Sequence, residues 1–192
     1  MLTRNSEALD FLLTRRSRPA KTLKAPAPDR DELITLLTAA ARTPDHGKLE
    51  PWRFIVLQDA ALGRLATVAA ARGEALGLDP ETADKGRRQF ADSHLCVAVV
   101  ESPQDSPKIP AIEQTYSAGA VCLSLLNAAL ASGWGANWLT GWIAHDRPFV
   151  EQELGLSAAE RIAGFIHLGT EGAAPPDRPR PDLATKASWV SA

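Results

Sequence analysis

The sequence is short of the residue types that mark several common protein classes. Among 192 residues there are only two cysteines. Cys96 and Cys122 form no C-x-x-C pair and each sits in an apolar run, so they read as small buried hydrophobes rather than a disulfide or a metal clip. That usage fits a reducing, cytoplasmic setting. Charge of one sign is also lacking: 21 basic against 23 acidic side chains leave a formal charge of −2. A sequence-blind nucleic-acid binder would carry a basic excess. The longest nearly uncharged run, Gln114 to His145, is broken by Gly133, Gly135 and Gly141 and contains Asn127 and Asn137. It reads as a core element and not a membrane span. The stretch Met1-Leu2-Thr3-Arg4-Asn5-Ser6-Glu7 has no apolar h-region of a secretory signal.

Signatures of side-chain catalysis are missing as well. There is no G-x-S-x-G and no H-E-x-x-H, and the histidines at 46, 94, 145 and 167 have no metal-ligand spacing. His94, His145 and His167 read as structural. The absence of G-x-G-x-x-G and of a phosphate-gripping P-loop argues against a Rossmann or ATPase site. What is present is a scattered supply of arginine and an aromatic, glycine-rich turn, a combination suited to an anionic cofactor with a flat ring.

The length supports one domain, residues 1–192, with a single core. Ser6 is a candidate cap for a first helix, with Ala8, Leu9, Leu12 and Leu13 at helical spacing, ending at Arg15-Arg16-Ser17-Arg18 before Pro19. Cations there also suit the negative end of a helix and need no ligand for that. Pro26 to Asp29 open a second helix that carries Leu33, Leu36, Leu37, Ala40 and Ala41 on one face. Strands are expected at Trp52–Leu57 and Leu95–Val100, the second an unbroken apolar run of the kind buried on both faces. Helical stretches lie between them, at about 59–76 and 80–90. From about Ile112 to Ala131 the chain is apolar nearly all round, so this helix must be enclosed, at the centre of the domain or between subunits. A short strand leads into Trp138-Leu139-Thr140-Gly141, a helix covers about 148–154, and Arg161–Gly169 reads as the last core strand. The tail from about 170 to 192 holds four prolines by Pro181, cannot close a core of its own, and carries Arg178, Arg180 and Trp189.

The stretch Arg42-Thr43-Pro44-Asp45-His46-Gly47-Lys48-Leu49-Glu50-Pro51-Trp52-Arg53-Phe54 joins a helix to a strand and concentrates basic side chains on a loop, where sites are often built. A solvated turn region is the plainer account of the loop taken alone. Five features nonetheless occur in order: Arg15-Arg16-Ser17, Arg42-x-Pro44-Asp45-His46-Gly47 with Pro51-Trp52-Arg53-Phe54, Gly119-Ala120 with Asn127, Trp138-x-Thr140-Gly141, and Gly164-Phe165-Ile166-x-Leu168-Gly169. Together, over about residues 9–189, they resemble the FMN-dependent nitroreductase family, specifically its small YdjA-like branch.

The resemblance implies an α+β fold, a sandwich of helices around a mostly antiparallel sheet, assembled as an intertwined homodimer with FMN at the interface. The apolar helix would then belong to the dimer core, and the arm would cross to the partner. Arg15 and Ser17 would hold the FMN phosphate and ribityl end with help from Arg178 and Arg180, and Arg16 would reach toward the ribityl chain or the ring. Arg42 and His46 would enter from the partner subunit. Trp138, Leu139 and Thr140 would line the isoalloxazine. Relatives often carry a basic residue where this chain has Leu139, a change that alters the electrostatics of the turn. The implied activity is electron transfer from NADH or NADPH through flavin to a nitroaromatic, quinone or similar planar small molecule, in a ping-pong cycle. The alternative is a protein of the same fold that binds or handles flavin without turning over an external acceptor. Neither nucleic acid nor membrane is implied as a partner.

Overall fold

The apolar run at 95–101 is the middle strand of the sheet. In the computed structural model, which describes residues 3–191, all seven of its residues are buried. Met1, Leu2 and Ala192, parts of the amino-terminal stretch and of the arm read above, lie outside the described residues. The described elements are α1 (Ser6–Thr14), β1 (Leu23–Lys24), α2 (Arg30–Ala40), β2 (Trp52–Gln58), α3 (Ala60–Ala75), α4 (Pro80–Ala91), β3 (Leu95–Glu101), α5 (Ala111–Ala131), β4 (Gly135–Leu139), α6 (Arg147–Leu154) and β5 (Arg161–Glu171).

Every pairing is antiparallel: β3 lies between β2 and β5, and β5 also pairs with β4 and β1. Helices α3, α4 and α6 cover one face, where Phe90 sits 5.6 Å from Phe149 and 5.4 Å, edge-on, from Phe165. Helices α2 and α5 cover the other, over Val97, Val99, Ile166 and Leu168. Two covered faces explain why β3 is apolar without alternation. The α+β sandwich is the architecture that the resemblance implies.

Local chemistry sets the boundaries. Asn5, not Ser6, caps α1: its Oδ1 accepts from the Ala8 N–H at 3.0 Å and Ser6 is the first helical residue. Both residue types cap well, and Asn5 holds the extended conformation a cap needs. Asp29 and Glu32 form a reciprocal capping box on α2. The strand β1 is two residues long and has no sequence signal of its own; Leu23 and Lys24 are paired with Glu171 and Thr170 at the far end of β5.

The helix expected to be enclosed is covered on one side only. Within one chain α5 buries Ala118, Val121, Cys122 and Leu125 but leaves Tyr116 68% exposed, together with Ile112 and Leu123. Helix α1 has no buried residue, and in the arm Trp189 is 93% exposed.

Candidate functional site

After Thr14 the chain leaves α1 in an extended conformation and runs beside β4. The Arg18 N–H donates to the Ala136 carbonyl at 2.8 Å, and Asn137 Nδ2 donates to the Arg18 carbonyl at 2.6 Å. These two bonds hold Arg15, Arg16 and Ser17 against the strand that ends in Leu139. Asn137 was not singled out from the sequence as a site residue, yet it is the clamp.

The side chains gathered here are unusual in what they lack. Arg15 Nη2 donates to Ser17 Oγ at 3.0 Å, but the Nε atoms of both Arg15 and Arg16 are buried without a protein partner. Burial, and then the positive charges of Arg180, Arg16 and Arg18, hold the Arg15 guanidinium below its ordinary pKa. Arg18 Nε lies 2.8 Å from Glu171 Oε1, close enough to pair but off the line of a hydrogen bond. Arg180 pairs with its neighbour Asp177 at 3.3 Å. Four guanidiniums therefore share two carboxylates. Convergent cations with unused donors fit a multiply charged anion such as a phosphate monoester. Arg180 lies near enough to Arg15 within one chain for its charge to bear on the guanidinium. Arg178 is exposed, and its backbone N–H is turned to the Asp177 side chain.

A cavity of about 520 Å³ adjoins this cluster through the next residues of the same segment, Ala20 and Lys21. Its second wall is α4, with Lys85, Arg88 and Gln89, its third is the turn Leu139-Thr140-Gly141, and Ser93 and His167 complete it. The cations of α4 were not identified from the sequence, where they look like the solvated face of an amphipathic helix. Each does have an acid one turn away, Glu81 at 2.7 Å from Lys85 and Asp92 at 3.0 Å from Arg88. His167, on β5, is buried, with Nδ1 3.0 Å from Ser93 Oγ. Burial pushes its pKa down to about 4, so it is neutral at pH 7.

Trp138 stands apart from its neighbours. Successive residues of a strand face opposite sides, and Leu139, paired with Phe165, faces the α4 layer while Trp138, paired with Ile166, faces the α5 layer. The register of β3 and β5 slips between Val99 and Val100, leaving Ala163 as the extra residue of a bulge. Trp138 Nε1 donates to the Ala163 carbonyl at 3.2 Å. The indole occupies the space above Gly164, where a Cβ would come within 2.1 Å of Nε1. Leu139 and Thr140 line the cavity; Trp138 does not.

The loop with Arg42 and His46 lies against α5 instead. Thr43 Oγ1 is 2.8 Å from Ser124 Oγ, Ser117 Oγ donates to the Pro44 carbonyl at 2.9 Å, and His46 Nδ1 is 2.7 Å from Glu113 Oε2. Lys48 and Glu50 hold positive φ of 54° and 48°, which non-glycine residues adopt at a cost. No hydrogen bond or ion pair among the described residues joins Arg42 or His46 to Arg15, Arg16 or Ser17.

Residues 12–170 match the model of the nitroreductase family. The chain belongs to that family. It is 34% identical over 164 residues to YdjA of Escherichia coli strain K12, named as an NAD(P)H nitroreductase, covering 85% of this chain and 88% of YdjA. A protein of the same naming from Haemophilus influenzae is 32% identical over 166 residues, with the same coverage. Among solved structures, a nitroreductase-like family protein from Bacillus cereus superposes with a TM-score of 0.78 at 24% identity, covering 99% of this chain and 98% of that one. A Bacteroides fragilis nitroreductase with bound FMN gives 0.74 at 20% identity, covering 96% and 99%. At these identities the structural matches establish the fold. In this nitroreductase-family chain no helix among the described residues is long and apolar enough to cross a membrane, and no cluster of His, Cys, Asp and Glu there has the geometry of a metal site.

Proposed function

We propose that this protein is an FMN-dependent oxidoreductase that oxidises NADH or NADPH and reduces a nitroaromatic, quinone or similar planar small molecule. One observation carries the reading: arginines with unused donors and a cavity sized for a flat ring are joined by the single segment 15–21. The names of the relatives supply the nicotinamide donor, and the FMN-bound structural neighbour supplies the cofactor.

The chain's own residues then have distinct tasks. Arg15, Ser17 and Arg180 bind the phosphate, with Arg178 adding charge from the same arm, and Arg16 reaches toward the ribityl chain. Leu139 and Thr140 border the ring, and beside it Lys21, Lys85 and Arg88 are balanced by Glu81, Asp84 and Asp92 of the same lining. When bound, FMN supplies the redox chemistry, accepting hydride from the nicotinamide and passing electrons to the second substrate in a separate half-reaction. The protein supplies no nucleophile. Cys96 and Cys122 are buried free thiols, both pushed up in pKa by burial, Cys122 to about 12, which supports a structural role; a reducing, cytoplasmic setting is part of the same proposal.

A homodimer completes the reading. The exposed apolar faces of α1 and α5 and the arm's Trp189 are the surfaces a partner would cover. By the family resemblance Arg42 and His46 would enter the site of the partner subunit; their loop rests on α5 through Thr43, Pro44 and His46. A mixed dimer of one Arg15→Ala chain and one Arg42→Ala chain tests this: both defects then fall in one site, and half of the FMN sites keep wild-type affinity. A mixed dimer without any tight site would overturn the shared arrangement.

The activity itself is tested by anaerobic addition of NADH and of NADPH to FMN-loaded protein, followed by a quinone or nitroaromatic. The proposal predicts bleaching of the flavin absorbance and its return with the acceptor. Loaded protein that neither nicotinamide bleaches would instead support flavin handling without turnover.

A further inference from the structure

We propose that Gln89 recognises the carbonyl edge of the ring held in the cavity, an inference that rests on the flavin reading above. Gln89 is on α4, one turn after Lys85 and next to Arg88, and it lines the cavity. Its Nε2 is buried and has no partner in the protein. A buried donor without an acceptor is destabilising, and few persist in folded proteins without a reason. The reason here is where the carboxamide stands. Its Oε1 lies 3.5 Å from the place a Cβ of Gly141 would occupy, so the group fills the corner between α4 and the turn that borders the ring.

That corner is held rigidly. Gly141 adopts φ 72°, a conformation favoured by glycine, and sends Trp142 across α4. Trp142 Nε1 donates to the Thr82 carbonyl at 2.9 Å, and its ring lies so close to Gly86 that a Cβ there would come within 2.5 Å. Gly86 is one turn before Gln89. The tryptophan therefore fixes the turn and the helix against each other, and interdigitated side chains of this kind leave a carboxamide little room to swing away.

The chemistry of the edge follows. Lys85 and Arg88 have acids at hand, whereas Gln89 offers an uncharged N–H with no internal acceptor. Such a donor suits a neutral carbonyl. The pyrimidine end of an isoalloxazine carries two carbonyls and the benzenoid end none, so Gln89 also sets which way round the ring lies.

The test uses flavin-free full-length protein: wild type, Gln89→Met and Gln89→Glu, each titrated with FMN and with riboflavin and each melted without flavin. Gln89→Met keeps the shape and removes the unpaired donor. It should bind both flavins about tenfold more weakly, while its flavin-free Tm rises. Gln89→Glu, which sets an acceptor against a carbonyl, should lose at least as much affinity. Unchanged flavin affinity in Gln89→Met would overturn the inference, as would a fall in flavin-free Tm with no loss of binding, the signature of a packing role. Wild-type protein that bound neither flavin would overturn the flavin site itself, a result distinct from binding that ignores residue 89.

Discussion

Arg53 and Arg15 are both half-buried arginines, and the chain treats them in opposite ways. Arg53 donates Nε and Nη2 to the two oxygens of Glu160 at 2.6 and 2.9 Å, and this bidentate bond holds the carboxyl down at about pKa 2. Arg72 does the same with Asp146, at 2.7 and 2.8 Å. Around Arg15 the neighbours are other arginines, its Nε has no partner, and its pKa is lowered rather than raised. Charge neutralised within the chain belongs to the fold. Charge gathered without neutralisation lowers stability unless something else is bound, and it is this imbalance that singles the cluster out as the candidate site.

The comparison is broken most severely by exchanging the outcomes of two substitutions. Arg15→Ala should weaken FMN by roughly ten- to a hundredfold, the value of one charge-assisted contact at ~1.5–3 kcal/mol, while leaving the unfolding midpoint of flavin-free protein unchanged or higher. Arg16→Ala should cost less affinity. Arg53→Ala should do the reverse: FMN affinity is kept, and stability falls by ~2 kcal/mol, between the values for exposed and for fully buried pairs because Arg53 is partly solvated. Isothermal titration and urea unfolding of both variants decide the matter. If Arg53→Ala lost flavin and Arg15→Ala lost stability, the division would be wrong.

Packing beside the site gives a smaller effect. Gly164→Ala places a methyl in the space of the Trp138 indole and should destabilise by ~1–2 kcal/mol, as overpacking does. Tryptophan fluorescence would report the displaced ring. An unshifted spectrum with wild-type stability would mean the bulge at Ala163 absorbs the methyl.

Protons sharpen the same contrast. Glu160 is depressed from 4.5 to about 2, so the unfolded chain binds more protons than the folded one in that window; its stabilisation is present above pH 4.5 and lost as pH falls toward 2. His167, depressed from 6.5 to about 4 by burial, acts in the next window: stability rises with pH from about 4 to about 6.5, because only the unfolded chain protonates it there. Urea midpoints should climb through both windows, and Glu160→Gln should flatten the lower one alone. The smallest effect is expected at the turn, where Leu139→Arg sets a positive charge beside the ring and should raise the potential of bound flavin, as read by redox titration.

Much of this was readable from residue order. The arginine cluster is consecutive, the strand at 95–101 is an unbroken apolar run, and α2 follows Asp29 with its apolar face at helical spacing. Other parts depend on tertiary register and were not readable. The face taken by Trp138 follows from pairing with β5, β1 is too short to have a period, and Gln89 is a neutral residue on a helix whose pattern predicts only solvent. Arg180 is distant in sequence from Arg15, and it was the family resemblance, not spacing, that grouped it with the cluster to which the fold brings its charge.

The central claim, that the unpaired arginines are there for a phosphate, is tested most directly by comparing FMN with riboflavin on flavin-free wild-type and Arg15→Ala protein. The two ligands share the ring and the ribityl chain and differ in the phosphate alone. The account predicts that wild type binds FMN far more tightly than riboflavin, and that the gap narrows by roughly ten- to a hundredfold in Arg15→Ala while riboflavin affinity stays the same. Equal affinity of the wild-type protein for FMN and riboflavin would contradict it.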